Sequence, residues 1–317
     1  EDATISMDDR LTGTHWLASD IGVDLRLHTV GRASGVTGDV QLSIASQTTP
    51  DTRLVLHAHG APTDNGQQIA WHLNTNTLNP AAFAALRPEL AKIDLPLSIV
   101  ADTHFTATAK TAWMLPNALS LSASIGAGHV DAGGTRYEVD HGTADMSVLL
   151  NQTQAQSVPA QITLPRAHLL LRNPATPDDP THALSVTLSG WLNASDLMQP
   201  KNVDARLNMG IPNVSFEDLT YYWPSLAAKG GKKWVTENIT TGTATNLVTT
   251  AELASTRGWS GIKLTGIHGG IDATGLTIHW LRPITPLQGL DARLDIVSPD
   301  KLSIHFDHGY QLVDRTG

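Results

Sequence analysis

The sequence predicts a mainly β protein with mostly antiparallel strands and two short helical insertions. Three observations carry this. Apolar and polar residues alternate along most of the chain, turn signals separate the alternating runs at short intervals, and two segments shift to helical spacing.

In chain order, IGVDLRLH sets Ile21, Val23, Leu25 and Leu27 on one side. VQLSI does so with Val40, Leu42 and Ile44, and ALSLSASI with Leu119, Leu121, Ala123 and Ile125. The pattern returns in LSVTLSG (Leu184, Val186, Leu188), VDARLNM (Val203, Ala205, Leu207, Met209) and LTIHW (Leu276, Ile278, Trp280). It closes with LDARLDI (Leu290, Ala292, Leu294, Ile296) and LSIHF (Leu302, Ile304, Phe306). A period of two gives each strand one apolar and one polar face. Turns are signalled at Gly31 to Gly38, Pro50-Asp51, Asn65-Gly66, Gly133-Gly134, Gly269-Gly270 and Pro299-Asp300. No fixed-length repeat with a signature residue is present, which weighs against propellers and regular solenoids.

The first departure is LNPAAFAALRPELAKI, a helix near 79–92. Asn79 caps it, Pro80 takes its first position, and Phe83, Leu86, Leu90 and Ile93 form its apolar stripe. Pro88 kinks it or splits it in two. The second is YYWPSLAAKGGKKWVTENITTG, a helix near 224–238 that starts at Pro224, with Gly242 turning the chain beyond its end. Ala227, Gly230, Gly231, Trp234 and Asn238 share its small-residue face, so it can lie close on the sheet as a lid, plug or brace pinned by Trp234, with Trp223 at its start. Lys229, Lys232, Lys233 and Glu237 spread over its other faces. Between the strands, NPATPDDPTH (173–182) reads as an exposed hairpin connection.

Composition bounds function. The 317 residues are 41% apolar and 16% charged, enough for a core and too little charge for disorder. A net charge of -9 lacks the basic footprint of a nucleic-acid binder. With no cysteine, disulfides, zinc–thiolate sites and cysteine nucleophiles are excluded. No run reaches the ~20 apolar residues of a membrane helix, and the chain reads as a mature fragment whose targeting signal or anchor lies outside it. Aromatics make up only 5%, so the apolar faces are aliphatic.

Catalytic patterns are absent. GWSG (258–261) is too short for a nucleophile elbow, and no glycine-rich loop precedes a helix. We expect no enzyme activity and no cofactor. Among fourteen histidines, His57 and His59 share a strand face and form a weak candidate metal pair. No third ligand is identifiable, so a solvent-facing pair is the better reading and no metal is expected. The aliphatic faces remain. They either close on each other as a packed core, the commoner use of amphipathic sheets, or line a groove for acyl chains.

The C-terminal third resembles the AsmA superfamily of bacterial envelope proteins, most closely its YhdP-like members. The resemblance rests on Tyr222-Trp223-Pro224, Lys232-Lys233-Trp234-Val235, Asn238-Ile239 and Gly242, and on the 269–306 stretch with Pro283, Pro286 and Gly289. LNPAAFAALRPELAKIDLPLS is similar to a helical insertion of that family, and Gly230-Gly231 inside the second helix is a departure. It is specific over 184–306 and loose before 180.

The resemblance implies a long, strongly curved sheet forming an open, taco-like groove, attached to the inner membrane in the full-length protein and lying in the periplasm. The whole of 1–317 is then one elongated groove segment, with sub-parts 1–180 and 181–317. Its role is phospholipid transport between inner and outer membrane, with acyl-chain lipids and envelope proteins as partners. Groove-lining candidates are Leu184, Val186, Leu188, Val203, Leu207, Leu276, Ile278, Trp280, Leu290, Leu294, Ile296, Leu302, Ile304 and Phe306. Two alternatives stay open: a non-enzymatic envelope module with a closed β core, and a glycan-binding or hydrolytic β protein.

Overall fold

The computed structural model describes residues 3–9, 14–30, 33–46, 49–62, 68–84, 88–106, 118–150, 159–197, 199–225, 229–280, 284–298 and 301–306, some of them by backbone alone. The first strands are β1 (Ala3–Asp9), β2 (Thr14–Val30), β3 (Ala33–Ser46), β4 (Thr49–Pro62) and β5 (Gln68–Thr75). β6 (Ile93–Asp94), β7 (Leu97–Thr106), β8 (Ala118–Ile125), β9 (Gly128–Ala132), β10 (Thr135–Leu150) and β11 (Ala160–Arg172) follow. The last are β12 (Leu184–Ala194), β13 (Val203–Ser215), β14 (Ile239–Ser255), β15 (Lys263–Ile278), β16 (Leu287–Ser298) and β17 (Lys301–Phe306).

All belong to one antiparallel sheet. β6 and β7 are two pieces of one bent strand broken at Leu95-Pro96. β8 and β9 are likewise one strand broken at Gly126-Ala127, and the two bent strands pair with each other along both pieces. With these counted once each, every strand pairs with the next along the chain, from β1–β2 to β16–β17. Among the described residues β1 pairs only with β2 and β17 only with β16, so the sheet is a meander that does not close into a barrel. The step between 1–180 and 181–317 is an ordinary neighbour pairing, β11 with β12.

The register puts the alternating residues on matching faces. One row runs Val23, Val40, Ala58, Leu73, Ala101, Leu121, Met146 across seven strands. The adjacent row, on the opposite face, runs Asp24, Asp39, His59, His72, Asp102, Ser120, Ser147. Bulges keep this segregation where the strict period fails. In β11 the inward residues Leu164 and Ala167 are three apart, and the register shifts between them. In β15 the same holds for Ala273 and Leu276. In β14, Asn246 has φ 53° beside a shift between Thr245 and Val248, a left-handed position that Asn tolerates better than most residues. Each bulge bends its strand and increases local twist, which curves a wide sheet.

The first helical insertion is two short 3₁₀ turns, Pro80–Phe83 and Pro88–Lys92. Asn79 caps the first by accepting from the Ala81 N–H at 3.0 Å, and Pro88 opens the second. The second insertion also divides. A short helix α1 (Leu219–Tyr222) precedes Pro224, and α2 (Lys229–Asn238) follows it. The expected start at Pro224 is not observed: Trp223 is extended at φ −73°, ψ 122°, the conformation a following proline favours. Ala227 lies outside the described residues. Gly242 lies inside β14 at φ 124°, and its carbonyl accepts from the Phe216 N–H.

The core is concentrated at one end of the strands. Val139, Leu171, Leu184, Val186, Val214, Phe216, Ile239, Ala244, Ala273, Leu276, Ile278, Leu290 and Ala292 are buried there together with Leu95 and Tyr222. These come from the start of β10, the end of β11, the start of β12 and so on in alternation, as an antiparallel sheet requires of residues sharing one end.

Candidate functional site

The inward face differs sharply along its extent. At the packed end, Leu184, Val186, Leu276, Ile278 and Leu290 are buried. Of the other lining candidates, Val203 is buried at the opposite end of the strands, only 1% exposed. Leu188, Leu294 and Ile296 are half-buried. Leu207 and Phe306 face inward by register yet are 37% and 51% exposed. Trp280 lies beyond the end of β15 and is exposed. The side chains of Leu302 and Ile304 lie outside the described ones; their backbones pair with Ile296 and Leu294.

Further inward residues are open as well: Ile5 at 58%, Val23 at 56% and Leu264 at 48%. In a closed β-sandwich the inner faces interdigitate across about 10 Å, and such side chains are covered. Here the described residues contain one sheet and no second layer apart from α1, α2 and the short 3₁₀ turns.

Residues 216–225 and 229–239 cover the packed end. From the end of β13 it crosses to the β9–β10 hairpin. There the Ser225 N–H donates to Thr135 Oγ1 at 2.8 Å, and a Cβ placed on Gly133 would lie 2.9 Å from Pro224 Cβ. Gly133 (φ 57°) and Gly134 (φ 77°) form the tight turn that this approach requires. The chain then returns through α2, whose Val235 packs on the core. Trp234, expected to pin the helix, is exposed at 43%. Lys232 is half-buried and its Nζ donates to the Trp223 carbonyl at 2.7 Å, tying α2 to the turn after α1. Lys233 is exposed, and the Lys229 side chain lies outside the described ones.

A buried polar clasp, unforeseen in the sequence, fixes this cover. Asp218 lies in the turn after β13, immediately before α1, and is buried. It accepts from Asn173 Nδ2 at 2.7 Å and pairs with His182 Nδ1 at 2.8 Å. The Tyr222 hydroxyl donates to the His182 carbonyl at 2.5 Å. Asn173 and His182 bracket the 173–182 connection, so that connection is the other jaw of the clasp. Asn173 Oδ1 also accepts from the Ala175 N–H at 2.9 Å, and Asp179 accepts from the Thr181 N–H. The hydrogen bond that Asp218 accepts from His182, then the Asp218 charge, raises the His182 pKa above the ordinary imidazole value. Burial, and next the Asp218 charge, push the Tyr222 phenol upward, so it stays protonated and donating.

On the polar face, His57 and His59 do share a side, and His59 lies directly opposite His72. Each of the latter two is engaged by a carboxylate, His59 with Asp39 and His72 with Asp102, both at 2.8 Å. Among the described residues no three metal-ligating groups come together. Farther along, Arg206 meets Glu252 at 2.7 Å and Arg293 meets Asp272 at 2.6 Å, all exposed or half-exposed. No helix of the described residues is long and apolar enough to cross a membrane.

Among known proteins, no family model matches this chain, no curated protein matches it, and no solved structure matches it. The resemblance to the AsmA superfamily therefore rests on the sequence motifs alone.

Proposed function

We propose that this chain is a lipid-binding segment that shields acyl chains against an aliphatic β-surface, in the manner the AsmA resemblance implies. One observation carries the reading: an unclosed antiparallel meander whose inward face stays partly exposed at aliphatic residues on β1, β2, β13 and β15. Each methylene moved from water onto such a surface gains about 0.8 kcal/mol, so a long acyl chain needs no specific polar contact. Headgroups stay in solvent while chains lie along the inward rows. A periplasmic setting, attachment to the inner membrane in the full-length protein, and service in phospholipid transport to the outer membrane follow on the same reading.

The test is photocrosslinking. Crosslinkers at Leu207, Leu188 and Leu294 are expected to capture lipid, while Asn193 on the polar face and the buried Ile278 do not. Equal labelling at Leu207 and Asn193, or none at either, overturns the proposal. A second reading, a non-enzymatic envelope module, is favoured by the packed end with its clasp. It predicts delipidated protein with unchanged stability and no lipid captured at Leu207.

A further inference from the structure

The rim of the sheet opposite the clasp carries a feature that the strand pattern does not explain. The β14–β15 connection reads STRGWSGIKL. It exposes Trp259 (40%), Ile262 (39%) and Leu264 (48%), together with Arg257 and Lys263. The loop is preformed. Ser255 is buried, its Oγ donates to the Gly258 carbonyl at 2.7 Å and accepts from the Arg257 N–H at 3.0 Å. Gly258 is buried at φ 73°, and a Cβ there would meet the Pro200 carbonyl oxygen at 2.8 Å. The neighbouring β12–β13 loop is thus packed against it, adding exposed Lys201.

Three cations therefore flank exposed Trp and aliphatic side chains on a protein whose net charge is -9. No ion pair holds Lys201, Arg257 or Lys263 among the described residues. Of the nearby acids, Glu252 is taken by Arg206 and Asp196 accepts from the Gln199 N–H, while Asp204 is exposed one strand away. Leu264, the second residue of β15, faces inward through its pairing with Leu253, so the apolar part of the rim runs directly into the aliphatic face.

We infer that this rim docks on an anionic bilayer surface, with Trp259 and Ile262 seated at the headgroup level and Lys201, Arg257 and Lys263 on lipid phosphates. Tryptophan beside aliphatic and basic side chains is the composition that suits the membrane interface. The docked rim would hand acyl chains to the inward face at Leu264. The inference rests on the lipid-binding reading and names where that surface meets its donor or acceptor membrane.

Flotation with vesicles tests it. Vesicles with about one-third phosphatidylglycerol are expected to bind the protein more tightly than pure phosphatidylcholine vesicles, by about fivefold per engaged cation. A Trp259→Ser, Ile262→Ser double variant should lose binding to both. A Lys201→Gln, Arg257→Gln, Lys263→Gln triple variant should lose only the anionic preference. All five side chains are exposed, and unchanged circular dichroism and melting confirm the folds. No flotation of the parent protein, or parent-like flotation of both variants, overturns the docking. So does a rim that instead crosslinks to a protein partner and leaves vesicles untouched. Lipid capture at Leu207 from detergent micelles is read separately: if it persists while flotation fails, the docking is wrong and the lipid-binding surface stands.

Discussion

Replacing Asp218 by Ala is expected to release the cover from the packed end without unfolding the sheet. Asp218 is buried and accepts two side-chain hydrogen bonds, from Asn173 at 2.7 Å and His182 at 2.8 Å. His182 is about a third exposed, so water replaces much of what it loses. Asn173 is only 2% exposed, and its amide would be orphaned. A hydrogen bond to a charged group contributes about 1.5–3 kcal/mol, and an unsatisfied buried polar group costs about 1–3 kcal/mol. The two overlap, so the net loss is about 3 kcal/mol. Read as hydrogen exchange, that is roughly a hundredfold faster opening of 216–225. Asp218→Asn keeps an acceptor for Asn173 and loses the charge, so it should fall between parent and Ala. Less than about a threefold change in both variants would refute the clasp.

His182 gives the same clasp a pH dependence. Its pKa is raised in the folded protein, so the stabilisation is fully present below the ordinary value of 6.5 and is lost as pH rises through the raised value. Protection of 216–225 should therefore decline on the alkaline side, and Asp218→Asn should flatten the profile. Val235→Ala should destabilise by about 1 kcal/mol in urea melts, since a half-buried valine loses part of two methylenes' burial, whereas Trp234→Ala should change stability by less than about 0.5 kcal/mol. Gly133→Ala, with φ 57° and Pro224 at 2.9 Å, should cost at least about 1 kcal/mol. Val203→Asp should unfold its neighbourhood because Val203 is 1% exposed, while Leu207→Asp, at 37% exposed, should cost only about 1–2 kcal/mol and abolish lipid capture.

The strands were legible because alternation is a local signal. Every alternating run falls inside an observed strand except that LTIHW stops at Ile278. Asn79 and Pro88 were legible for the same reason: capping and helix-breaking depend on residues a few positions away. The second helix was read from Pro224 because a proline suits a helix start, yet Trp223 before it is extended and the described helix is Lys229–Asn238. What stayed hidden is long-range. Whether Leu184 packs and Leu207 stays open depends on which strand ends the cover overlies. The clasp joins residues 36 and 45 positions apart through a stretch whose prolines and aspartates look like a solvated loop. Bulges such as Leu164 to Ala167 were invisible in the alternation but preserved its outcome.

The strict neighbour-to-neighbour pairing makes the fold nearly one-dimensional. Each hairpin depends on the one before and the one after, so folding can proceed by zippering along the chain with little loop-closure cost. Length then becomes an adjustable quantity: duplicating or deleting a hairpin in β2–β5 changes how far the surface reaches without rewriting the rest. From β9 to β14 that freedom ends, because Asp218 and Pro224 bind strands that are not neighbours. A ruler with one locked section would stretch or shorten by whole hairpins on the β2–β5 side and keep the locked section constant.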